Sequence, residues 1–363
     1  MPQSVTVLES IATANPVDCI SQDAAARLMQ QLGDLSPALR KRLPAVYRAS
    51  GIARRFTSAP DFADPSRGGL THRSGTAARG ARYEACAPAL ARRCAEEALA
   101  RAGCPAGRIT HLIVASCTGF VAPGIDILLT RALGLRPDVA RTLIGFMGCY
   151  AAFPALRAAD AFVQADPDAR VLVVCLELCT LHFQIEDTLP SVVVNALFAD
   201  GAAATVVGAY EPGSAPPAGY AYLGGQARLD DDSLDVLRWS IGDQGFVMGL
   251  SPEAPAVVER AAPPFTADML ADCGVRREDV GFWAIHPGGR QIVEKAAAGL
   301  GLSAAQAAPS LEILRDYGNM SAPTVLFILE RLLHEPQVPP HGVAMAFGPG
   351  VTIEGCVLRR LGA

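Results

Sequence analysis

Charge is scarce in this chain: Asp, Glu, Lys and Arg make up only 18% of its 363 residues, while half are hydrophobic. That balance excludes a disordered chain and supplies a large core, enough for about two domains or one large one. A basic excess is also missing. The net charge is −5, which argues against nucleic acid as the partner of the whole protein. No window approaches the ~18 continuous apolar residues of a membrane span. Met1 to Ala14 shows no basic stretch ahead of an apolar one and is interrupted by Glu9, so no secretory signal is read there. Ten cysteines in so long a chain do not make a small disulfide scaffold. Cys86, Cys94, Cys104, Cys117, Cys175 and Cys179 lie mostly in apolar or helical runs and read as reduced thiols of a cytoplasmic protein. Cys175 and Cys179 lack a nearby Cys or His pair, so no metal is expected.

What the chain does contain is an alternation of short apolar runs with helical patterns, which predicts an α/β fold with buried sheets. The expected strands are Leu112–Cys117, Thr142–Phe146, Val171–Leu176, Ala202–Tyr210, Gly281–Ile285 and Gly342–Phe347. The expected helices are Glu84–Ala102, Ala151–Gln164, Gln291–Leu300 and Pro323–His334. Gly51 to Ala77 reads as loop, and the Pro-, Gly- and Ser-rich Gly213–Pro217 is the best internal boundary, leaving halves 1–212 and 218–363. A weak repeat relates the halves: each reads strand, turn, long insert, glycine, reactive residue, helix. The reactive pairs are Gly148-Cys149 in the first and Gly318-Asn319 in the second.

Three residues carry the chemistry. Cys149 precedes an expected helix, whose amino terminus favours a thiolate. An imidazolium beside it would lower the thiol pKa further and hold an ion pair near neutral pH. His286 ends an apolar strand at a Pro287-Gly288-Gly289 turn that allows close approach. Asn319 lies in a Gly-Asn loop, with Ser321 as an expected helix cap and Pro323 in the first turn. An amide and an imidazole N–H together make a two-donor pocket for an enolate, each donor worth ~3 kcal/mol in a dry site. Taken one at a time, each of the three has an ordinary structural reading: a buried thiol, a satisfied histidine, a common turn. Taken together they suit one reaction. A thiolate takes an acyl group from a thioester, a malonyl thioester loses CO₂ with its carbonyl held by the two donors, and the carbanion attacks the acyl-cysteine.

With these residues in place, the chain resembles the type III polyketide synthases, the chalcone-synthase-like family. The resemblance rests on Gly145 to Tyr150, Ala196 to Ala204, His286-Pro287-Gly288-Gly289, Gly318-Asn319-Met320-Ser321 and Phe347-Gly348-Pro349-Gly350, and covers about Ile52 to Leu361. It implies a thiolase-like αβαβα sandwich of two duplicated halves, a homodimer, and acyl- and malonyl-coenzyme A thioesters as substrates with no further cofactor. It also implies Cys149 as nucleophile in the first half, His286 and Asn319 as enolate stabilisers in the second, and Phe198 as an aromatic gatekeeper. The second gatekeeper falls near Met248, a departure from the usual Phe. Cavity walls are expected at Cys117, Thr118, His182, Trp239 and Ser321. Trp239, with Gly242 and Gly245, resembles bacterial members that take fatty acyl starters and release an alkylpyrone or resorcinol-type product. Tyr150 and Phe153-Pro154 replace the usual small residues after the nucleophile, and Pro154 is tolerable only in a first helical turn. Arg40, Lys41, Arg42 and Arg48, continued by Arg54-Arg55, fall where the family keeps its coenzyme A-binding cations, with Gly288 and Gly289 at the same mouth. Arg290 departs from the usual residue there. Two other readings stay open: a ketoacyl synthase III-like enzyme making a single condensation on an acyl carrier protein, and a silent thiolase-fold binding subunit.

Overall fold

The apolar runs become strands close to their expected bounds. The computed structural model describes residues 5–32, 35–62, 64, 69–210, 218–335 and 340–362, so the expected boundary Gly213–Pro217 lies outside the described residues. The first strands are β1 (Val5–Leu8), β2 (Ala12–Ala14), β3 (Cys19–Ser21) and β4 (Arg54–Phe56), with helices α1 (Gln22–Leu32) and α2 (Pro37–Ala49) between the last two. Then follow α3 (Thr76–Arg101), β5 (His111–Ala115), α4 (Ile125–Ala132), β6 (Ala140–Ile144), α5 (Ala152–Ala165), β7 (Arg170–Leu178), α6 (Leu189–Leu197) and β8 (Asp200–Tyr210). The remainder is β9 (Tyr220–Leu229), β10 (Leu237–Gly242), β11 (Gly245–Leu250), α7 (Ala254–Asp272), β12 (Val280–Ile285), α8 (Arg290–Leu300), α9 (Ala304–Tyr317), α10 (Thr324–Leu333), β13 (His341–Gly348) and β14 (Thr352–Arg360).

Alternation along the strands builds the layers. In β7, Val171, Val173 and Cys175 face one core while Leu172, Val174 and Leu176 face another. In β13, Ala344 and Ala346 join the first of these cores, and Val343, Met345 and Phe347 face a third. The shared core holds α5 and α10, so the order is α3 and α4, sheet, α5 and α10, sheet, α7 and α8. This is the expected αβαβα sandwich. Strands buried on both faces read as unbroken apolar runs, which is why the sequence showed them.

The strands run β12-β13-β14-β9-β1-β8-β7-β5-β6, joined across the middle by the β1–β9 pairing. β5 and β7 are parallel and β7 and β8 antiparallel, just as β12 and β13 are parallel and β13 and β14 antiparallel. β6 is not the buried strand its sequence suggested. It is the edge of the sheet, and Leu143 is 52% exposed. Two-stranded units β10–β11 and β3–β4 stand apart from the main sheet.

Candidate active site

Each reactive residue sits where a strand or loop turns toward the middle layer. Cys149 lies in a 3-10 turn, Gly148–Tyr150, between β6 and α5, one turn ahead of the helix start expected for it. Gly148 has φ +73, and a Cβ there would stand 2.6 Å from Pro349 Cδ. Only glycine lets the Phe347-Gly348-Pro349-Gly350 loop close so tightly on the Cys149 turn. Tyr150 fits because it covers Gly348, and Pro154 does fall in the first turn of α5.

His286 follows β12 and is fixed by its backbone, whose N–H donates to Met345 O at 2.8 Å. Its ring is fully buried, and neither ring nitrogen has a hydrogen-bond partner among the described residues. An imidazole left unsatisfied in a dry site costs free energy that a substrate oxygen can recover. Asn319 is stitched to the other half of the chain: its N–H donates to Leu197 O at 2.9 Å and its C=O accepts from Ala199 N at 2.8 Å. Its Oδ1 accepts from Ser321 N at 2.8 Å and its Nδ2 donates to Gly288 O at 3.3 Å. One amide hydrogen is left for the cavity. Ser321 does not cap α10, whose N-cap is Pro323. Instead it adopts φ +59, a strained value for a residue with a Cβ, beside the thiol.

These groups line one apolar cavity. Cys149, His286, Asn319, Ser321, Cys117, Thr118 and Gly288 share it with Phe198, Trp239 and Met248. A second chamber adjoins it through Cys179, Phe198, Trp239 and Met248, and His182 belongs to this outer chamber rather than to the inner cavity. Free space is about 740 Å³ in the inner cavity and about 1110 Å³ in the outer chamber, each counting its opening to solvent. Trp239 and Met248 are cross-strand partners in β10–β11, so one hairpin supplies the partition. Gly289 caps α8 and packs on Leu197 outside the cavity.

Burial dominates the electrostatics. It pushes the Cys149 thiol up to about 11, with hydrogen bonds from Ser321 and Asn319 pulling down and the charge of Glu177 pushing up. It lowers His286 to about 3. Burial thus disfavours a charge on either group alone. Moving one proton from sulfur to ring creates both charges at once, and they compensate each other.

The sequence reading passed over Glu177 and placed Arg55 among the surface cations. Glu177 is fully buried in β7 and accepts from Cys117 N at 3.0 Å and from Thr118 Oγ1 at 2.7 Å. Burial raises its pKa to about 8. Its signal was a lone carboxylate in an otherwise apolar strand. Arg55 was grouped with the surface cations, yet it is buried and donates to Asn195 O and Phe198 O, each at 2.7 Å. Its guanidinium is engaged with the backbone at Phe198. Arg40, Lys41, Arg42 and Arg48 are exposed along α2 and line neither cavity. No group of three or more His, Cys, Asp or Glu residues suited to a metal occurs among the described residues.

A sandwich of this topology, with a thiol, an imidazole and an amide around a dry hollow, defines a carbon–carbon condensing acyltransferase. The chain belongs to the chalcone and stilbene synthase family, the type III polyketide synthases: it matches that family's N-terminal domain over residues 3–212 and its C-terminal domain over 226–362. It is 36% identical over 369 residues to "Alpha-pyrone synthesis polyketide synthase-like Pks18" of Mycobacterium tuberculosis, covering 99% of this chain and 93% of that one. It is 33% identical over 322 residues to a 3,5-dihydroxyphenylacetyl-CoA synthase of Amycolatopsis orientalis, covering 88% and 85%. Among solved structures, PKS-I of the brown alga Ectocarpus siliculosus superposes with a TM-score of 0.93 at 32% identity, covering 99% of this chain and all of that one. The family's chemistry runs on coenzyme A thioesters without a further cofactor. No helix among the described residues is long and apolar enough to cross a membrane.

Proposed function

We propose that this enzyme loads a fatty acyl group from coenzyme A onto Cys149, extends it with several malonyl units, and closes the product to an alkylpyrone or resorcinol-type ring. The observation that carries this is the buried, unpartnered imidazole of His286 lining one apolar cavity with Cys149 and the Asn319 amide.

Loading begins as the Cys149 proton passes to His286 and sulfur attacks the acyl carbonyl. The departing coenzyme A thiolate takes the proton back, leaving acyl-cysteine and a neutral ring. A malonyl thioester then loses CO₂ while its carbonyl oxygen accepts from His286 and Asn319, each donor worth ~3 kcal/mol. The enolate attacks the acyl-cysteine and expels Cys149 as a thiolate. Every later loading thus starts from a sulfur already charged by the preceding condensation, so no standing ion pair is needed.

The outer chamber suits the acyl tail, being the larger space and entered past Phe198 and Trp239. A name built on α-pyrone synthesis in the mycobacterial relative supports lactone closure. Phe198 and Met248 act as the gate. Arg40, Lys41, Arg42 and Arg48 on α2 serve the coenzyme A phosphates. Arg290 packs beside Gly51, just past the end of α2, and so joins the same face. The halves 1–212 and 218–363 are two copies of one unit, as the matching strand directions suggest. The exposed edge strand β6, with Leu143 and the Phe120–Phe146 ring pair (5.1 Å apart), is the contact of a homodimer. Ten free cysteines fit a reducing, cytoplasmic setting.

The test is incubation with malonyl-coenzyme A and starters from acetyl to long acyl, reading product masses. Products of several extensions from free coenzyme A thioesters support the proposal. A single condensation confined to an acyl carrier protein overturns it. Cys149→Ala is expected to abolish condensation and to leave no acyl adduct by intact mass.

A further inference from the structure

The partition between the two cavities is fastened by donors that the condensation does not use. Trp239 Nε1 donates to Cys117 O at 2.9 Å. His182 Nε2 meets Thr118 O at 2.8 Å, while its Nδ1 accepts from Phe246 N at 3.0 Å. With Nδ1 an acceptor, the ring proton is on Nε2, so the histidine donates to Thr118. From the other side Glu177 takes the Cys117 N–H and the Thr118 hydroxyl. The Cys117–Thr118 segment is thus gripped at one amide, two carbonyls and one hydroxyl. Its sulfur then accepts from Gly148 N at 3.2 Å, one residue before Cys149.

The hairpin that carries Trp239 is seated without slack against His182, which lies in the turn after β7. His182 stacks on Phe246 at 4.2 Å and 9°, and Trp239 stands edge-on to both. Gly245, at φ +111, has no room for a side chain: a Cβ would lie 2.8 Å from Arg79 Cδ and 3.2 Å from His182 Nδ1. Gly148 in turn is held between the Cys117 sulfur and Pro349.

We propose that Trp239 and His182 are positioning residues for the nucleophile: by holding both carbonyls of Cys117–Thr118 they fix the Cys117 sulfur against the Gly148 amide, and so set where Cys149 stands. This rests on Cys149 being the nucleophile, and it goes beyond any part Trp239 plays as a wall. The lever is geometric, since a reacting atom displaced by 1 Å can cost about 10²-fold in rate.

Trp239→Phe keeps an aromatic wall and removes the N–H. Acetyl is the smallest starter, so a change of wall at Trp239, which lines the inner cavity too, weighs least on it. With acetyl and long starters alike, kcat is expected to fall about tenfold with KM nearly unchanged, and alkylation of Cys149 by iodoacetamide at a fixed alkaline pH to slow in parallel. His182→Gln, which keeps an amide donor, is expected to retain most of both rates, and His182→Leu to lose them. Should Trp239→Phe fail to fold, the histidine pair decides the matter. Parental acetyl-primed turnover and parental alkylation in Trp239→Phe, or in His182→Leu, overturn the proposal. If Cys149→Ala still condenses, the nucleophile assignment fails instead, whatever Trp239 does.

Discussion

Replacing Asn319 by Asp separates decarboxylation from acylation. The residue's backbone pairing to Leu197 and Ala199 survives, and a carboxylate oxygen still accepts from Ser321 N, so the loop keeps its shape. What disappears is the NH₂ group, which holds Gly288 O and offers its second hydrogen to the cavity. One enolate donor is worth ~3 kcal/mol, or about 10²-fold in rate. Asn319→Ala should lose that much. Asn319→Asp should lose more, because it sets an acceptor and a negative charge against the developing oxyanion. The assay uses a Cys149→Ala background, in which condensation cannot occur, and follows conversion of malonyl- to acetyl-coenzyme A. Acylation of Cys149 in the single Asn319→Asp variant, read by intact mass, should persist, because His286 and the thiol remain. Decarboxylation at the parental rate in Asn319→Asp would refute the assignment of the amide. A melting temperature close to the parent's guards against simple unfolding.

Three further outcomes are expected. Trp239→Gly merges inner cavity and outer chamber, so kcat/KM for long over acetyl starters should rise at least about tenfold; an unchanged ratio removes Trp239 from the wall. Leu143→Asp places a charge on the β6 edge and should convert a dimer to monomers by light scattering; a parental mass places the contact elsewhere. Burial raises Glu177 from 4.5 to about 8, so the folded state binds its proton more tightly and loses stability as pH rises through that window. Glu177→Gln should therefore match the parent near pH 5 and exceed it by up to roughly 4 kcal/mol near pH 9. A difference independent of pH shows that the carboxyl is not held protonated.

The strands legible in the sequence were those buried on both faces, such as β7 and β13, because their central runs, Val171–Leu176 and Gly342–Phe347, carry no charged side chain. β6 passed for one of them, since an apolar edge and an apolar interior look alike in one dimension. Helix α7 was not seen because Pro263-Pro264 stands inside it, where proline normally ends a helix. α9 hides a proline too, Pro309. Cys149, His286 and Asn319 could be singled out because each is a reactive group at a glycine-bearing turn. The inward turn of Arg55 and the burial of Glu177 depend on tertiary packing that local pattern does not encode. At Cys149 a helix terminus was visible in the sequence, and the dryness of the cavity, which works against a charge there, was not.

Phe198 and Asn319 face each other across an isolated parallel bridge, one residue from each end of the chain's long internal separation. The backbones at Phe198 and Asn319 are therefore mechanically one object. A fragment ending before residue 319 would hold Cys149 without the Asn319 amide, and a fragment starting after residue 198 would hold His286 and Asn319 without Cys149. Any drift in how the segments around residues 198 and 319 pack is therefore felt at Phe198 and at Asn319 together.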